Sequence, residues 1–227
     1  MKYNKVKTGI FKSRPNRFIA YVEMDGEVKT CHVKNTGRCK ELLIPGVTVY
    51  LEEQDNPKRK TKYDLIGVQK GNRLINMDSQ APNKVVYEWI MSGGLFPDIK
   101  LIKTEKTYGN SRFDLYVETE NKQIYIEVKG VTLEEDGIVR FPDAPTERGV
   151  KHVRELIACV EEGYEAYIIF VIQMKDVTYF EPNNVTHPAF GEALKEAEEK
   201  GVHILAMDCD VEFDQLNVRK NVKVKLQ

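Results

Sequence analysis

A run of six apolar residues, YIIFVI at positions 167–172, limits the possible folds of this chain more than any other feature. A strand without a polar face is typical of a sheet that is covered on both sides. Helix patterns that end at Gly163 and Gly201 lie before and after the run, and they can supply that cover. The succession of helix and strand patterns therefore predicts an α/β domain with a mixed sheet over residues 83–227.

Several local signals define the elements of this predicted domain. Asp143-Ala144-Pro145-Thr146 is a typical helix start, since a threonine cap and an early proline both suit the first turn. Strand patterns surround Asp114 and Glu127, with a hairpin turn expected at residues 120–122. Helices are predicted over residues 84–91, 146–162 and 188–200, and further strands over residues 138–141 and 202–207.

Residues 1–82 have the pattern of a small all-β domain, so the chain as a whole is predicted to be α+β. Alternating segments over residues 17–23 and 27–33 flank Asp25-Gly26, a strong hairpin signal. Three more short strands are predicted over residues 47–51, 65–68 and 74–75, and a linker over residues 79–83. Five such strands favour an OB-like barrel, and an SH3-like barrel remains the alternative.

The charged residues divide unevenly between these two parts. Residues 1–82 carry 16 Lys and Arg against 9 Asp and Glu, whereas residues 83–227 carry 18 against 26. The net charge of −1 therefore hides a basic part attached to an acidic one, and a basic surface suits a nucleic acid.

Composition argues against a membrane or secreted protein. No apolar run approaches the roughly 20 residues that cross a bilayer, and the first residues lack the apolar core of a signal peptide. The four cysteines are scattered and form no CxxC pair, which is typical of reduced thiols. We therefore expect a cytoplasmic protein with no membrane partner.

Asp114, Glu127 and Lys129 form the candidate catalytic set. Because strand side chains alternate, Glu127 and Lys129 share one face, while Ile126 and Val128 point to the other. The predicted hairpin brings Asp114 alongside this polar face. The two carboxylates suit Mg²⁺ or Mn²⁺, and the lysine can place a water molecule or balance charge on a phosphate. A surface ion pair is the simpler alternative.

This arrangement resembles the core of the PD-(D/E)XK nucleases. Asp114 matches the first acid of that motif, Glu127 the second acid and Lys129 the lysine, while Phe113 stands where the motif has proline. The resemblance implies a PD-(D/E)XK nuclease-like domain in the second part, with a divalent metal. It also makes Glu88, on the helix predicted over residues 84–91, a candidate third metal ligand.

Four sequence blocks resemble the sugar fermentation stimulation protein (SfsA) family, over nearly the whole chain. They are NTGR at 35–38, SRFD at 111–114, EVKGVTL at 127–133 and FPDAPTERGVKHVREL at 141–156. The resemblance implies DNA association, an OB-like N-terminal part and a nuclease-like C-terminal part.

The last of these blocks opens a helix and holds most of the candidate supporting residues. Arg148 and His152 are four residues apart and so share a helix face, close to an N-terminus that favours anions. They are expected either to contact a phosphate or to support the acidic site. The supporting set comprises Arg112, Thr146, Arg148 and His152.

A second candidate set lies in the basic first part. Small barrels bind single strands through positive charge and aromatic stacking. Polar and basic residues that are clustered in this sequence are therefore predicted to contact nucleic acid: Arg14, Arg17, His32, Asn35, Arg38 and Lys40.

The sequence thus predicts a DNA-binding protein with a metal-dependent phosphodiesterase site. The alternative is a non-catalytic DNA-binding regulator of sugar-metabolism genes with a vestigial nuclease fold, and a third possibility is an enzyme of the same chemistry directed at RNA. No feature of the sequence predicts the oligomeric state.

Overall fold

The computed structural model describes residues 1–226, which form three helices and sixteen strands. The helices are α1 (Ala81–Met91), α2 (Glu147–Glu161) and α3 (Pro188–Glu199). The strands of the first part are β1 (Val6–Ser13), β2 (Ile19–Met24), β3 (Glu27–Val33), β4 (Thr48–Glu53), β5 (Tyr63–Lys70) and β6 (Arg73–Asn76). Those of the second part are β7 (Leu101–Tyr108), β8 (Ser111–Glu118), β9 (Gln123–Val131), β10 (Leu133–Glu135), β11 (Ile138–Phe141), β12 (Glu165–Ile172), β13 (Tyr179–Pro182), β14 (His203–Glu212), β15 (Gln215–Asn221) and β16 (Lys223–Val224).

The first five strands close into a barrel. Their order is β3-β2-β1-β4-β5, and a parallel pairing of β5 with β3 closes the ring, while β6 continues the sheet beyond β5. The predicted number of barrel strands is right, but β1 takes the place that we assigned to residues 74–75. β1 lacks a clear apolar alternation because its two buried positions are Gly9 and Phe11. A Cβ at Gly9 would lie 2.5 Å from Cγ1 of Val22, so glycine lets β1 approach β2 closely.

A six-stranded mixed sheet forms the centre of the second part. The strand order is β15-β14-β12-β9-β8-β7, in which β12 is parallel to both of its neighbours and the outer pairs are antiparallel. Ile168 and Phe170 of β12 pack in the core cluster that contains α2 and α3, whereas Ile169 and Val171 pack in the cluster that contains α1. The predicted strand buried on both faces is confirmed.

Several strands near the edges of the two sheets of the second part were not predicted. β7 exposes the charged side chains of Lys103 and Glu105, so its sequence carries little apolar signal. β10, β11, β13 and β16 form a separate four-stranded sheet, of which only β11 was expected. No helix within residues 1–226 is long and apolar enough to cross a membrane.

α1 begins three residues before its predicted start, so the linker predicted over residues 79–83 is wrong in its second half. Pro82 occupies the opening turn of α1. Proline has no amide hydrogen, and this is tolerated here because first-turn amides have no acceptor within the helix. This places Asn83 on a helix rather than in a flexible connection.

The barrel and the second part share one continuous hydrophobic core, and a polar seam lies beside it. Gln173, which follows β12 and is buried, donates from Nε2 to Oδ1 of Asn76 at 2.8 Å and to the carbonyl of Asp78 at 3.0 Å. The carbonyl of Gln173 accepts from the amide of Asn76 at 2.9 Å. The two parts are therefore fixed to each other by packing and by directed hydrogen bonds.

Candidate metal centre and nucleic-acid cleft

Asp114 lies on β8 where β8 and β9 separate. The antiparallel pairing of these strands stops one residue short of Asp114, so the amide of Val128 donates to its Oδ2 at 2.8 Å. Nδ2 of Asn83 on α1 donates to the Oδ1 atom at 2.7 Å. Burial and the charge of Glu127 raise the pKa of Asp114, although both hydrogen bonds act in the opposite direction.

Glu127 on β9 is almost fully buried, with 2% of its surface exposed. Its Oε1 accepts a hydrogen bond from Nδ1 of His152 at 2.5 Å and another from Nζ of Lys129. Its Oε2 is buried and has no partner among residues 1–226. Burial acts to raise the pKa of Glu127, but the His152 hydrogen bond and the Lys129 charge outweigh it and hold the pKa below its ordinary value.

The first turns of α2 hold His152 against Glu127. Oγ1 of Thr146 accepts from the amide of Gly149 at 3.1 Å, so Thr146 caps the helix as predicted. Nε of Arg148 donates to Nε2 of His152 at 3.3 Å, which confirms that these side chains share a helix face. Because Nε2 accepts this bond, the imidazole proton is on Nδ1 and is donated to Glu127.

The donors present fit a hard divalent cation. Asp114 and Glu127 supply carboxylates from adjacent strands, and a buried carboxylate oxygen without a partner is costly unless a ligand satisfies it. Lys129 is a cation and cannot be a ligand. Within residues 1–226, no three His, Cys, Asp or Glu side chains are grouped so that they could hold a metal ion alone. A bound cation would therefore complete its coordination with water.

The structure places two of the predicted residues away from this pair of carboxylates. Oε2 of Glu88 forms an ion pair with the N-terminal ammonium of Met1 at 2.7 Å, and Asn83 is the α1 residue that contacts Asp114. Arg112 is exposed and pairs with Glu105 across the β7–β8 hairpin at 3.4 Å. Glu88 is thus engaged elsewhere, because the helix turns it toward the chain terminus.

Two of the predicted nucleic-acid residues hold the loop over residues 34–38 in place. The Nη atoms of Arg14 donate to four main-chain carbonyls, those of Arg17, Asn35, Gly37 and Arg38. Asn35 accepts from the amide of Gly37 at 2.7 Å and donates to the carbonyl of Met77 at 2.9 Å. Arg14 and Asn35 therefore have few polar atoms left for a phosphate.

The other predicted contacts are more accessible. Arg17, Arg38 and Lys40 are exposed and form no ion pair within residues 1–226. His32 is partly exposed, and its Nδ1 lies 3.1 Å from Oδ1 of the buried Asp64. The three exposed cations are the side chains of this set that are best placed to meet a polyanion.

A cleft of about 330 Å³ joins the barrel loop to the second part. Arg17 and Arg38 line it from the barrel, and Gly130, the residue after Lys129, lines it from β9. A Cβ at Gly130 would lie 2.6 Å from Oε1 of Gln173 and 2.8 Å from Cγ of Pro82, so β9 passes too close to its neighbours for a larger residue. The cleft thus joins barrel residues of the predicted nucleic-acid set to Thr146 at the start of α2, while Asp114, Glu127 and Lys129 lie outside its lining.

Sequence reasoning missed two residues that matter for this site. Asn83 was assigned to a linker, although its position just before an apolar helix pattern could have indicated a first-turn residue. Gln173 was not singled out, yet a polar residue directly after six apolar ones indicates a buried strand end that needs partners.

The fold and the site define a two-part protein in which an OB barrel adjoins an α/β domain that has a mixed sheet and a pair of carboxylates. Family models describe both parts: an SfsA N-terminal OB domain over residues 13–77 and a sugar fermentation stimulation protein RE domain over residues 80–215. The chain belongs to the sugar fermentation stimulation protein family. The OB-like alternative for the barrel is therefore confirmed over the SH3-like one.

Relatives and one solved structure resemble the whole chain. Sugar fermentation stimulation protein homologs from Clostridium beijerinckii and Ruminiclostridium cellulolyticum are 66% and 63% identical, with full coverage of both chains in each case. The structure of Pyrococcus furiosus SfsA in complex with Ca²⁺ is 28% identical, with a TM-score of 0.87 and coverage of 99% of this chain and 98% of that one. The two-part arrangement is thus shared with that protein.

Proposed function

We propose that this protein is a divalent-metal-dependent phosphodiesterase that acts on DNA. One observation carries the proposal: Oε2 of Glu127 is buried without a partner among residues 1–226, close to the carboxylate of Asp114 and the ammonium of Lys129. Folded proteins rarely leave such an oxygen unsatisfied, and a pair of carboxylates attracts a hard cation.

Each residue of the site has a distinct role in this proposal. Asp114 and Glu127 would hold Mg²⁺ or Mn²⁺, which activates water and neutralises charge on a phosphate when it is bound. His152 occupies Oε1 of Glu127 and so leaves Oε2 as the free ligand atom. Lys129 keeps a positive charge beside the carboxylates, where it orients a water molecule or stabilises charge that develops on the phosphate.

The cleft supports DNA as the substrate. Arg17 and Arg38 line it and form no ion pair with any described residue, and such cations bind a phosphate backbone by releasing its counterions. The Ca²⁺ complex of the Pyrococcus protein supports the use of a divalent cation in this fold.

Calorimetry with Mn²⁺ tests the metal site. We expect Asp114→Asn and Glu127→Gln to bind Mn²⁺ far more weakly than the wild type. Glu120→Gln, an exposed change in the turn between β8 and β9, should bind like the wild type. Equal affinity in all four proteins would contradict the assignment of the ligands.

Cleavage of end-labelled single- and double-stranded DNA and RNA, with Mg²⁺ or Mn²⁺, tests the reaction. The wild type should degrade DNA, and Glu127→Gln should not. A folded, metal-loaded wild type that cleaves none of these substrates would contradict the phosphodiesterase. Cleavage restricted to RNA would favour the RNA-directed enzyme.

A DNA-binding regulator without catalysis is the second candidate. The observation that favours it is the absence, within residues 1–226, of a cluster of three His, Cys, Asp or Glu side chains that could hold a metal by itself. Binding of DNA without cleavage, and without a measurable effect of Mn²⁺, would select this candidate.

A further inference from the structure

We propose that the barrel holds an unpaired segment of the DNA next to the metal site and that Phe18 stacks on one of its bases. This inference rests on the proposed function, because it specifies the form of the DNA that reaches the same site. It follows from the position of one exposed aromatic ring and from the connection between two clefts.

Phe18 is presented to solvent by a fixed backbone. Oδ1 of Asn16 accepts from the amide of Phe18 at 2.8 Å and from the amide of Ile19 at 3.0 Å. The carbonyl of Phe18 accepts from the amide of Val33 at 2.8 Å. Both main-chain polar groups are therefore engaged, and the ring lies outward with 56% of the residue surface exposed. A ring held in this way loses little conformational freedom when a base stacks on it.

Packing does not explain the position of this ring. Phe18 belongs to neither hydrophobic core cluster, nor to the partly buried apolar residues that pack against them. Single exposed apolar residues are common on protein surfaces, so exposure alone assigns no role, and it is the cleft beside Phe18 that distinguishes this ring from the equally exposed Phe213.

Phe18 lies at a second cleft of about 420 Å³ that continues the first one. Thr36 and Ser79 line both clefts and form their common wall. The first cleft reaches Gly130, directly after Lys129. A DNA strand that lies in the first cleft is thus led across Thr36 and Ser79 to Phe18.

The second cleft carries charges of both signs: Lys34 and Arg59 line it, and so do Glu52 and Asp64. Nζ of Lys34 pairs with Oδ2 of Asp78 at 2.6 Å, and Nη1 of Arg59 donates to Oδ2 of Asp64 at 3.1 Å. Both acids are buried, so they hold the two cations in place while part of each basic side chain remains accessible. Lys34 and Arg59 thus keep a fixed position beside the aromatic ring, while the unpaired cations Arg17 and Arg38 of the first cleft supply the positive charge that binds a single strand.

Stacking on Phe18 requires an unpaired base. In the interior of a duplex both faces of each base pair are covered by the neighbouring pairs, whereas the bases of a single-stranded segment can separate and offer their faces to a side chain. The structure therefore favours DNA with a single-stranded segment over a blunt duplex.

Fluorescence anisotropy in EDTA, where cleavage cannot occur, tests the inference on the full-length protein. The probes are a labelled DNA duplex with a single-stranded overhang, the same duplex with blunt ends, and an RNA overhang of the same sequence. We expect Phe18→Ala to bind the DNA overhang about tenfold more weakly, as base stacking predicts, and to bind the blunt duplex unchanged. Phe18→Trp should restore the overhang affinity.

Phe213→Ala is the matched control, since Phe213 is 54% exposed in the turn between β14 and β15 and lines neither cleft. The inference is overturned if Phe18→Ala leaves overhang binding unchanged, weakens both duplexes equally, or behaves like Phe213→Ala. Tighter binding of the RNA overhang would overturn the choice of DNA. Binding that depends on Phe18 in a protein that never cleaves would support this inference and contradict only the proposed phosphodiesterase.

Discussion

Nδ1 of His152 lies 2.5 Å from Oε1 of Glu127, and both side chains are buried. The contact joins the opening of α2 to the centre of β9, and it decides which carboxylate oxygen is free. Since Nε2 of the same imidazole accepts from Arg148, the chain fixes the orientation of Glu127 from outside the site.

We expect His152→Ala to weaken Mn²⁺ binding by about 10- to 100-fold, because a residue that orients a ligand typically contributes that much. The loss occurs although His152 would not touch the metal. Calorimetry measures it, and His203→Ala, which removes an exposed imidazole stacked on Tyr167, is the control. An affinity for Mn²⁺ that stays at the wild-type value in His152→Ala would show that Glu127 needs no such support.

Lys129→Ala should separate metal binding from cleavage. The change removes a cation beside two carboxylates, so Mn²⁺ affinity should be maintained or increased. Cleavage should fall by about 10²–10³, the usual cost of losing one charge-stabilising contact. Paired calorimetry and single-turnover assays check both values, and cleavage that is undiminished in Lys129→Ala would assign the activity to another site or to a contaminant.

Opposite effects on stability are expected for the two isosteric acid-to-amide changes in metal-free protein. The pKa of Asp114 is raised above 3.8, so the ionised form costs stability at neutral pH and that cost disappears as the pH falls below 3.8. Asp114→Asn should therefore raise the free energy of unfolding at pH 7.

The pKa of Glu127 is lowered from 4.5, so its ionised form adds stability that is present above pH 4.5 and is lost as the pH falls through the lowered pKa. Glu127→Gln should therefore lower the free energy of unfolding at pH 7. Urea denaturation at pH 7 and pH 3 measures both changes, and shifts of the same sign at pH 7 would contradict the electrostatic account of the pair.

Arg14→Ala and Arg38→Ala should differ in their effects on stability and on DNA binding, although both remove an arginine from the same loop region. Arg14 binds four carbonyls, so its loss should destabilise the protein by about 2 kcal/mol or more. Arg38 is exposed, and its loss should change stability by less than about 0.5 kcal/mol. Arg38→Ala should instead reduce the salt dependence of DNA binding by about one counterion. Similar melting temperatures for both variants would refute this division of roles.

Residues whose chemistry is local were predicted well from the sequence. The alternation around Glu127, the threonine cap at Thr146 and the four-residue spacing of Arg148 and His152 depend on neighbours in the chain, and each has the predicted geometry. The fold class was also predictable, because the apolar run over residues 167–172 required cover on both faces.

Long-range pairings were not predictable in the same way. Nothing near Glu88 in sequence indicates that the chain terminus would neutralise it, and the contact of Asn83 with Asp114 joins residues 31 positions apart. The donors of Arg14 are hydrogen-bonded to carbonyls of a loop that folds back on it. A cluster of basic residues in the sequence does not indicate such contacts. β1 was not predicted as a strand because Gly9 occupies one of its two buried positions.

The core that continues from the barrel into the second part has a consequence for how this chain can change over time. Separation of the barrel from the second part would expose apolar side chains on both pieces and leave the main-chain amide of Asn76 and the side-chain amide of Gln173 without these partners. Recombination can therefore replace the barrel, or the second part, with a homologous one only if the surface that packs against it is replaced as well. We therefore expect the barrel and the acidic site to be inherited together. Substitutions along the boundary between the two parts should accumulate in compensating pairs.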